Sequence, residues 1–377
     1  MKRISNIWKK HSLWIMFLLV IFVVGGANTS NLYNSVKTQY ISRTLDTSIA
    51  ETSYEDNFWH HENFINLQGW IAKASGQMIN NGVIKGLDGS LYLLEDVEYT
   101  FDAELEQKNC NDTIEILKTA EETGANILYV QRAYKTGELP YGYTFQRDKQ
   151  YEFWGKAMEN AGIPVLDIKK ELGDHLQFYK TDHHWTVESS FYAAEMIVHE
   201  LNQHYGMDLA NDALEHNKYD TMVWKDSFLG SMGIRTGKYY TGKDDFIMLN
   251  PKFETYLTYE HFINGELDKK KEGDFLESFV DLSILNDVGY NNKYNACLNG
   301  GYVENIITNH QQPEGLKVLV ISDSFARPMV QYMSLCFGET RYLDPQEGRY
   351  NDSYVEYIKD YNPDVVVVMY SGAYVEI

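Results

Sequence analysis

Four runs of consecutive apolar residues, each set beside helix-patterned sequence, constrain this chain more than any other feature. They are Asn126–Gln131, Val165–Ile168, Lys317–Ser322 and Asp364–Met369. A strand that is apolar on both faces must be covered on both faces, and parallel sheets flanked by helices are where such strands occur. Helical patterning over Asp112–Glu122, Arg147–Asn160 and Ser353–Tyr361 supplies the covering elements. Gly124 stops the first and Gly162-Ile163-Pro164 the second. Strands alternating with helices predict an α/β fold with a doubly wound parallel sheet. The chain's 377 residues, 44% of them hydrophobic, suffice for one large core.

The N-terminus bears on compartment. Lys2, Arg3, Lys9 and Lys10 precede an apolar run from Leu13 to Ala27, the pattern of a basic segment followed by a hydrophobic one. Residues 1–12 therefore read as a cytoplasmic basic segment and 13–27 as a signal anchor or a signal peptide. The run is shorter than the ~20 residues that comfortably span a bilayer. Gly25, Gly26 and Ala27 suit cleavage, whereas Trp14 and the snorkelling lysines suit an anchor. Both readings make the protein extracytoplasmic. Residues 28–56 are polar and rich in Thr and Ser, a tether, and the domain proper is expected over 57–377. It begins with a helix-compatible stretch from Phe58 to Met78 and a β-hairpin over Val83–Leu93 turning at Asp88-Gly89. Residues of about 203–315 have many aromatics, scattered Gly and little helical period, and are expected to form an insertion of loops and short strands.

Fifty-four acidic against 33 basic side chains give a formal charge of −21. A nucleic-acid partner is excluded on that balance, and long-range repulsion of polyanions favours a neutral or cationic substrate. Cys110, Cys297 and Cys336 lie far apart without CxxC spacing, so neither a zinc knuckle nor a dithiol redox motif is present. One disulfide with a leftover thiol and three buried free thiols both remain open.

Ser322-Asp323-Ser324-Phe325 follows directly on a buried strand and precedes a helix start near Ala326-Arg327-Pro328. In open α/β sheets, ligands bind outside the carboxyl ends of the strands, where a helix N-terminus offers N–H groups to an oxyanion. Asp323 fits the turn, leaving Ser324 to project its hydroxyl. A serine hydroxyl needs a base, and the base needs an acid to fix its tautomer. Thr181-Asp182-His183-His184-Trp185-Thr186 supplies both in Asp182 and His184, and Thr186 can cap a helix from Val187 to about Asn202. Asp182, His183 and His184 are also competent metal ligands, as is the His60-His61-Glu62 cluster, but neither has HExxH spacing. No metal or cofactor is called for. The Gly-rich stretch Gly230–Gly237 has no phosphate-loop spacing, and reads either as a turn-rich loop or as a substrate contact through Arg235.

On these residues the chain resembles the DHHW protein family, named for the motif found here as Asp182-His183-His184-Trp185. More distantly it is similar to the AlgX/AlgJ-type SGNH-hydrolase-like O-acetylation proteins of exopolysaccharide secretion. The agreement runs in order through Gly86-Leu87-Asp88-Gly89, Gly162–Asp167, the Asp-x-His-Trp-Thr motif, Ser322–Phe325 and Asn362-Pro363-Asp364-Val365-Val366. The resemblance implies Ser324 as nucleophile, His184 as general base and Asp182 as its orienting acid. The Ser324 N–H, Arg327 and Arg235 are the oxyanion or substrate candidates, together with His183 and Trp185. The motif order is circularly permuted relative to ordinary SGNH enzymes. Ser322 replaces the usual glycine, and one residue rather than two separates Asp from His. The implied activity is O-acetylation or de-O-acetylation of a cell-surface or secreted polysaccharide, with a membrane-bound O-acyltransferase as acetyl donor. A non-catalytic glycan-binding protein with a degenerate SGNH fold is the alternative.

Overall fold

The computed structural model describes residues 14–29, 33, 37, 58–347 and 353–371. The basic segment 1–12 and most of the tether lie outside these. Residues 14–29 form a helix whose large apolar side chains are exposed, and among the described residues no helix is long and apolar enough to cross a membrane.

In chain order the strands are β1 (Ile79–Asn80), β2 (Val83–Lys85), β3 (Leu91–Leu93), β4 (Asn126–Gln131), β5 (Val165–Asp167), β6 (Tyr219–Phe228) and β7 (Asp244–Pro251). They continue with β8 (Leu257–Ile263), β9 (Glu266–Gly273), β10 (Glu304–Asn309), β11 (Lys317–Ser322), β12 (Glu339–Leu343) and β13 (Val365–Met369). The main sheet runs β5-β4-β13-β11-β12-β10-β8-β9. Its first five strands are mutually parallel, and the last three join antiparallel.

Period-two alternation divides each apolar run between two cores. Leu128, Val130, Val318, Val320, Val365 and Val367 face the helices Val187–Tyr205 and Ala326–Met333. Ile127, Tyr129, Leu319, Ile321, Val366 and Val368 face the helices Ala103–Glu122, Arg147–Asn160 and Tyr354–Tyr361. Burial on both sides is why these strands carry no polar alternation, and it makes the parallel half doubly wound, as the sequence predicts.

The stretch 203–315 departs from the expected loops and short strands. It supplies β8, β9 and β10 to the main sheet and pairs β6 with β7 as a separate two-stranded ribbon. These strands escape a search for apolar runs because one face is wet: β9 is Glu-Leu-Asp-Lys-Lys-Lys-Glu-Gly, with no residue fully buried. Its charges suit a sheet edge, where they discourage pairing with another chain. The β2–β3 hairpin pairs Val83 with Leu93 and Lys85 with Leu91. All three cysteines are buried free thiols, and burial pushes Cys110 and Cys297 up to about 12.

Candidate active site

The serine turn is built at the carboxyl end of β11. Ser322, the last strand residue, donates its hydroxyl to Met369 O at 2.7 Å, tying the strand end to β13. Asp323 organises the next three residues: its Oδ1 accepts from Phe325 N–H at 3.2 Å and its carbonyl from Ala326 N–H at 3.0 Å. Tyr342 reaches over from β12 and donates to the same carbonyl at 2.9 Å. A buried ion pair fixes the Asp323 side chain, with Arg132 Nη2 at 3.2 Å from its Oδ2. Ser324 is left half-buried at the strand end, and its N–H has no hydrogen-bond acceptor among the described residues.

The histidine loop approaches from the start of the Val187–Tyr205 helix, which Thr186 caps by accepting from Ser189 N–H at 3.1 Å. Asp244, the first residue of β7, holds the loop in place. Its carboxylate accepts from Lys180 N–H, Thr181 N–H and the Thr181 hydroxyl at 2.9, 2.9 and 2.6 Å. Trp185 is fully buried and donates its indole N–H to Phe325 O at 3.0 Å, so the DHHW tryptophan bolts the histidine loop to the serine turn. Burial removes Trp185 from the set of substrate candidates.

These two turns bring the three expected side chains together. His184 Nε2 lies 2.8 Å from Ser324 Oγ, and His184 Nδ1 lies 2.6 Å from Asp182 Oδ1. The imidazole stacks on Tyr294, centroids 4.0 Å apart and planes 17° from parallel. With Nδ1–H donated to the carboxylate, Nε2 is free to accept from the serine hydroxyl. Asp182 is fully buried. Burial opposes its ionisation, but the adjoining His184 and His183 imidazoles and the hydrogen bonds from His184 hold its carboxyl well below the usual range. Burial, aided by Arg327 and Arg132, outweighs the pull of Asp182 and lowers His184, so the resting imidazole is neutral. Burial, with the His184 imidazole alongside, brings His183 down to about 4.

The Gly-rich stretch has a use that its spacing does not announce. Ser231 N–H, at the start of the helix Ser231–Thr236, donates to Asp182 Oδ2 at 2.6 Å. Gly230 packs so close that a Cβ there would stand 2.3 Å from the Asp182 Cβ. A carboxylate with one oxygen on His184 and the other on a backbone N–H is both ionised and immobile.

Three comparisons with known proteins bear on this arrangement. Residues 83–231 match the family described as SGNH hydrolase-like domain, acetyltransferase AlgX. The structure of Bacillus cereus PatB1 with a sulfonyl adduct superposes with a TM-score of 0.63 at 17% identity, covering 78% of this chain and 97% of that one. A DHHW family protein from Eubacterium siraeum superposes with a TM-score of 0.56, also at 17% identity, covering 77% and 91%. No curated protein matches the chain. The fold is SGNH hydrolase-like.

Within this fold, Ser324 and His183 open onto a cavity of about 410 Å³. Its wall also carries Arg132, Lys135, Arg147 and Arg235 against Glu95, Asp96 and Asp323, a near balance of charge that differs from the net −21 of the chain. Arg132 is paired with Asp323 and Arg147 with Asp96, while Lys135 is bound to backbone carbonyls. Arg235 is exposed and makes no side-chain hydrogen bond or ion pair among the described residues. Arg327 does not line the cavity; its Nη1 donates to Asn295 Oδ1 at 3.1 Å, so Arg235 is the better placed of the two arginines.

Asp182, His183 and His184 also form a potential metal-binding cluster, their ligand atoms within 4.8 Å of one another. Both nitrogens of His184 are engaged by Asp182 and Ser324, so the cluster as arranged offers a metal no free His184 donor. His60, His61 and Glu62 stand instead beside a separate groove with Tyr290 and Asp287.

The sequence reading missed Arg132, Lys135, Gly230, Ser231 and Tyr294. Arg132 and Lys135 carried a faint signal, because they lie one and four residues past β4, whose carboxyl end belongs to the same edge of the sheet as Ser324. Tyr294 carried none, since only the fold brings it to His184.

Proposed function

We propose that this protein is a serine-dependent acyl-transfer enzyme acting on acetyl esters, with a polysaccharide as the physiological acetyl acceptor or acetylated substrate. The observation that carries the reading is the relay from Ser324 Oγ, which faces an open cavity, through His184 to the buried Asp182. Ser324 Oγ attacks the ester carbonyl carbon while His184 Nε2 takes its proton, and Asp182 stabilises the imidazolium. The tetrahedral oxyanion is placed to accept from the Ser324 N–H. Collapse expels the alcohol, which takes the proton from His184 and leaves an acetyl group on Ser324. A glycan hydroxyl then attacks the acyl-enzyme by the same relay in reverse; water in its place gives an esterase. Arg235 and His183 are the wall groups available to the substrate. The match of residues 83–231 to the SGNH hydrolase-like acetyltransferase AlgX family supports acetyl transfer, and the motif resemblance to O-acetylation proteins of exopolysaccharide secretion supports a polysaccharide substrate.

The same reading puts the domain 57–377 outside the cytoplasm. The basic segment, the apolar run 13–27 and the tether 28–56 hold it at the membrane unless the run is cleaved, and a membrane-bound O-acyltransferase delivers the acetyl group. The test is hydrolysis of a chromogenic acetyl ester by wild type, Ser324→Ala and His184→Ala, with and without chelator. Chelator-resistant turnover, abolished by both substitutions in folded protein, is expected. Turnover that survives Ser324→Ala would overturn the serine mechanism, and a folded wild type without turnover on any acetyl ester would favour a glycan-binding role.

A further inference from the structure

Lys135 is a lysine that the relay itself does not use. It lies four residues beyond β4, half-buried at the edge of the cavity, and its ammonium makes no ion pair among the described residues. Nζ donates instead to four backbone carbonyls: Tyr179 O at 2.6 Å, Leu91 O at 2.7 Å, Asp182 O at 3.0 Å and Lys180 O at 3.1 Å. Three of the four belong to the loop that carries Asp182 and His184, and the fourth to β3, which meets that loop where Leu91 N–H donates to Lys180 O at 2.8 Å. The Tyr92 ring covers the ammonium with its centroid 5.0 Å from Nζ.

We infer that Lys135 is a positioning residue for the acyl-transfer relay, its ammonium gathering the carbonyls of Tyr179, Lys180 and Asp182 so that His184 meets Ser324. The inference rests on the Ser324–His184–Asp182 reading. Carbonyl dipoles converging on one point repel one another unless a cation sits among them, and an ammonium has three donors to share where a neutral amine has two. Asp244 fixes the amides of this turn from one side, Gly230, Ser231 and Gly233 N–H groups hold Thr181 and the Asp182 carboxylate, and Lys135 alone gathers several of its carbonyls onto one cation. The charged groups facing Lys135 are Asp182 and Asp244 from this loop and β7, and Asp88 from the hairpin turn. Burial pulls Lys135 down to about 8 despite these three carboxylates, so the clamp is cationic at neutral pH and loses charge in mild alkali.

The experiment uses the full chain and an acetyl ester, with Ser324→Ala alongside. Lys135→Met keeps the stem and removes the donors. It should lower kcat by about 100-fold, the usual effect of a misplacement on the order of 1 Å, with KM within about twofold. The proton–nitrogen NMR signal of His184 Nδ1–H should shift or vanish in the same variant, which a change in global stability alone does not produce. A folded Lys135→Met protein with wild-type kcat, or with an unmoved His184 signal, overturns the proposal. If that variant does not fold, the wild type decides: the His184 signal should change as pH rises from about 7 to about 9.5. An unchanged signal over that range overturns it equally. Should Ser324→Ala retain full activity, the triad reading fails, and the NMR result still reports on the clamp.

Discussion

Replacing Gly230 by alanine tests the relay through its least conspicuous support. Gly230 has φ −72° and ψ −178°, ordinary extended backbone, so alanine brings no conformational strain of its own. What it brings is a methyl group 2.3 Å from the Asp182 Cβ, 2.5 Å from Oδ2 and 2.8 Å from Cγ. Ordinary contact begins at 3.4 Å, so Asp182 or the Gly230 backbone at the helix start must yield by about 1 Å. Asp182 is fully buried and bound at both oxygens, so it cannot swing aside without breaking a hydrogen bond to His184 or to Ser231 N–H. A displacement of that size in an orienting group is worth about 100-fold in rate, or about 2.7 kcal/mol of transition-state stabilisation. Overpacking should also cost about 1–3 kcal/mol of stability. The assay is kcat/KM on an acetyl ester with thermal unfolding in parallel, and Gly233→Ala as comparator. At Gly233 the new methyl would meet Leu229 Cδ1 at 2.6 Å and the Thr181 Cβ at 2.9 Å, away from the carboxylate, so stability should fall with a smaller loss of rate. A Gly230→Ala enzyme within about threefold of wild type would refute the argument that Asp182 must be held in this place.

Other outcomes follow from the same geometry. Because His184 is lowered from 6.5, the acid limb of kcat/KM should have its midpoint below that value, and a midpoint above it contradicts a buried neutral base. His183 takes up its proton near 6.5 when unfolded but only near 4 when folded, so between those values the unfolded chain binds more protons and stability falls as pH falls. Denaturant unfolding at pH 7, 5.5 and 4 should show that decline, and His183→Gln should flatten it. Trp185→Phe removes the indole N–H from Phe325 O while the Tyr294 hydroxyl still reaches that oxygen at 3.3 Å. A loss of about 1 kcal/mol in stability is expected, measured by denaturant midpoint.

The sequence by itself determined the parallel half of the sheet and the two turns that carry chemistry. Asn126–Gln131, Lys317–Ser322 and Val365–Met369 are legible because the central positions of strands buried on both faces must be apolar, a demand that local sequence records directly. Ser324 and His184 are legible for a related reason: each follows a strand end or precedes a helix cap, and those junctions have their own residue preferences. Tertiary structure alone decided the rest. Strands β8 to β10 alternate or carry charge on a wet face, and their place in the main sheet depends on pairing with β12 across the fold. Gly230 and Ser231 stand 48 and 49 positions from Asp182, and Tyr294 110 from His184, yet they fix its carboxylate and its imidazole. Contacts of that kind leave no local pattern, because the energy that selects them, burial and hydrogen bonding between distant segments, exists only once the chain has closed on itself.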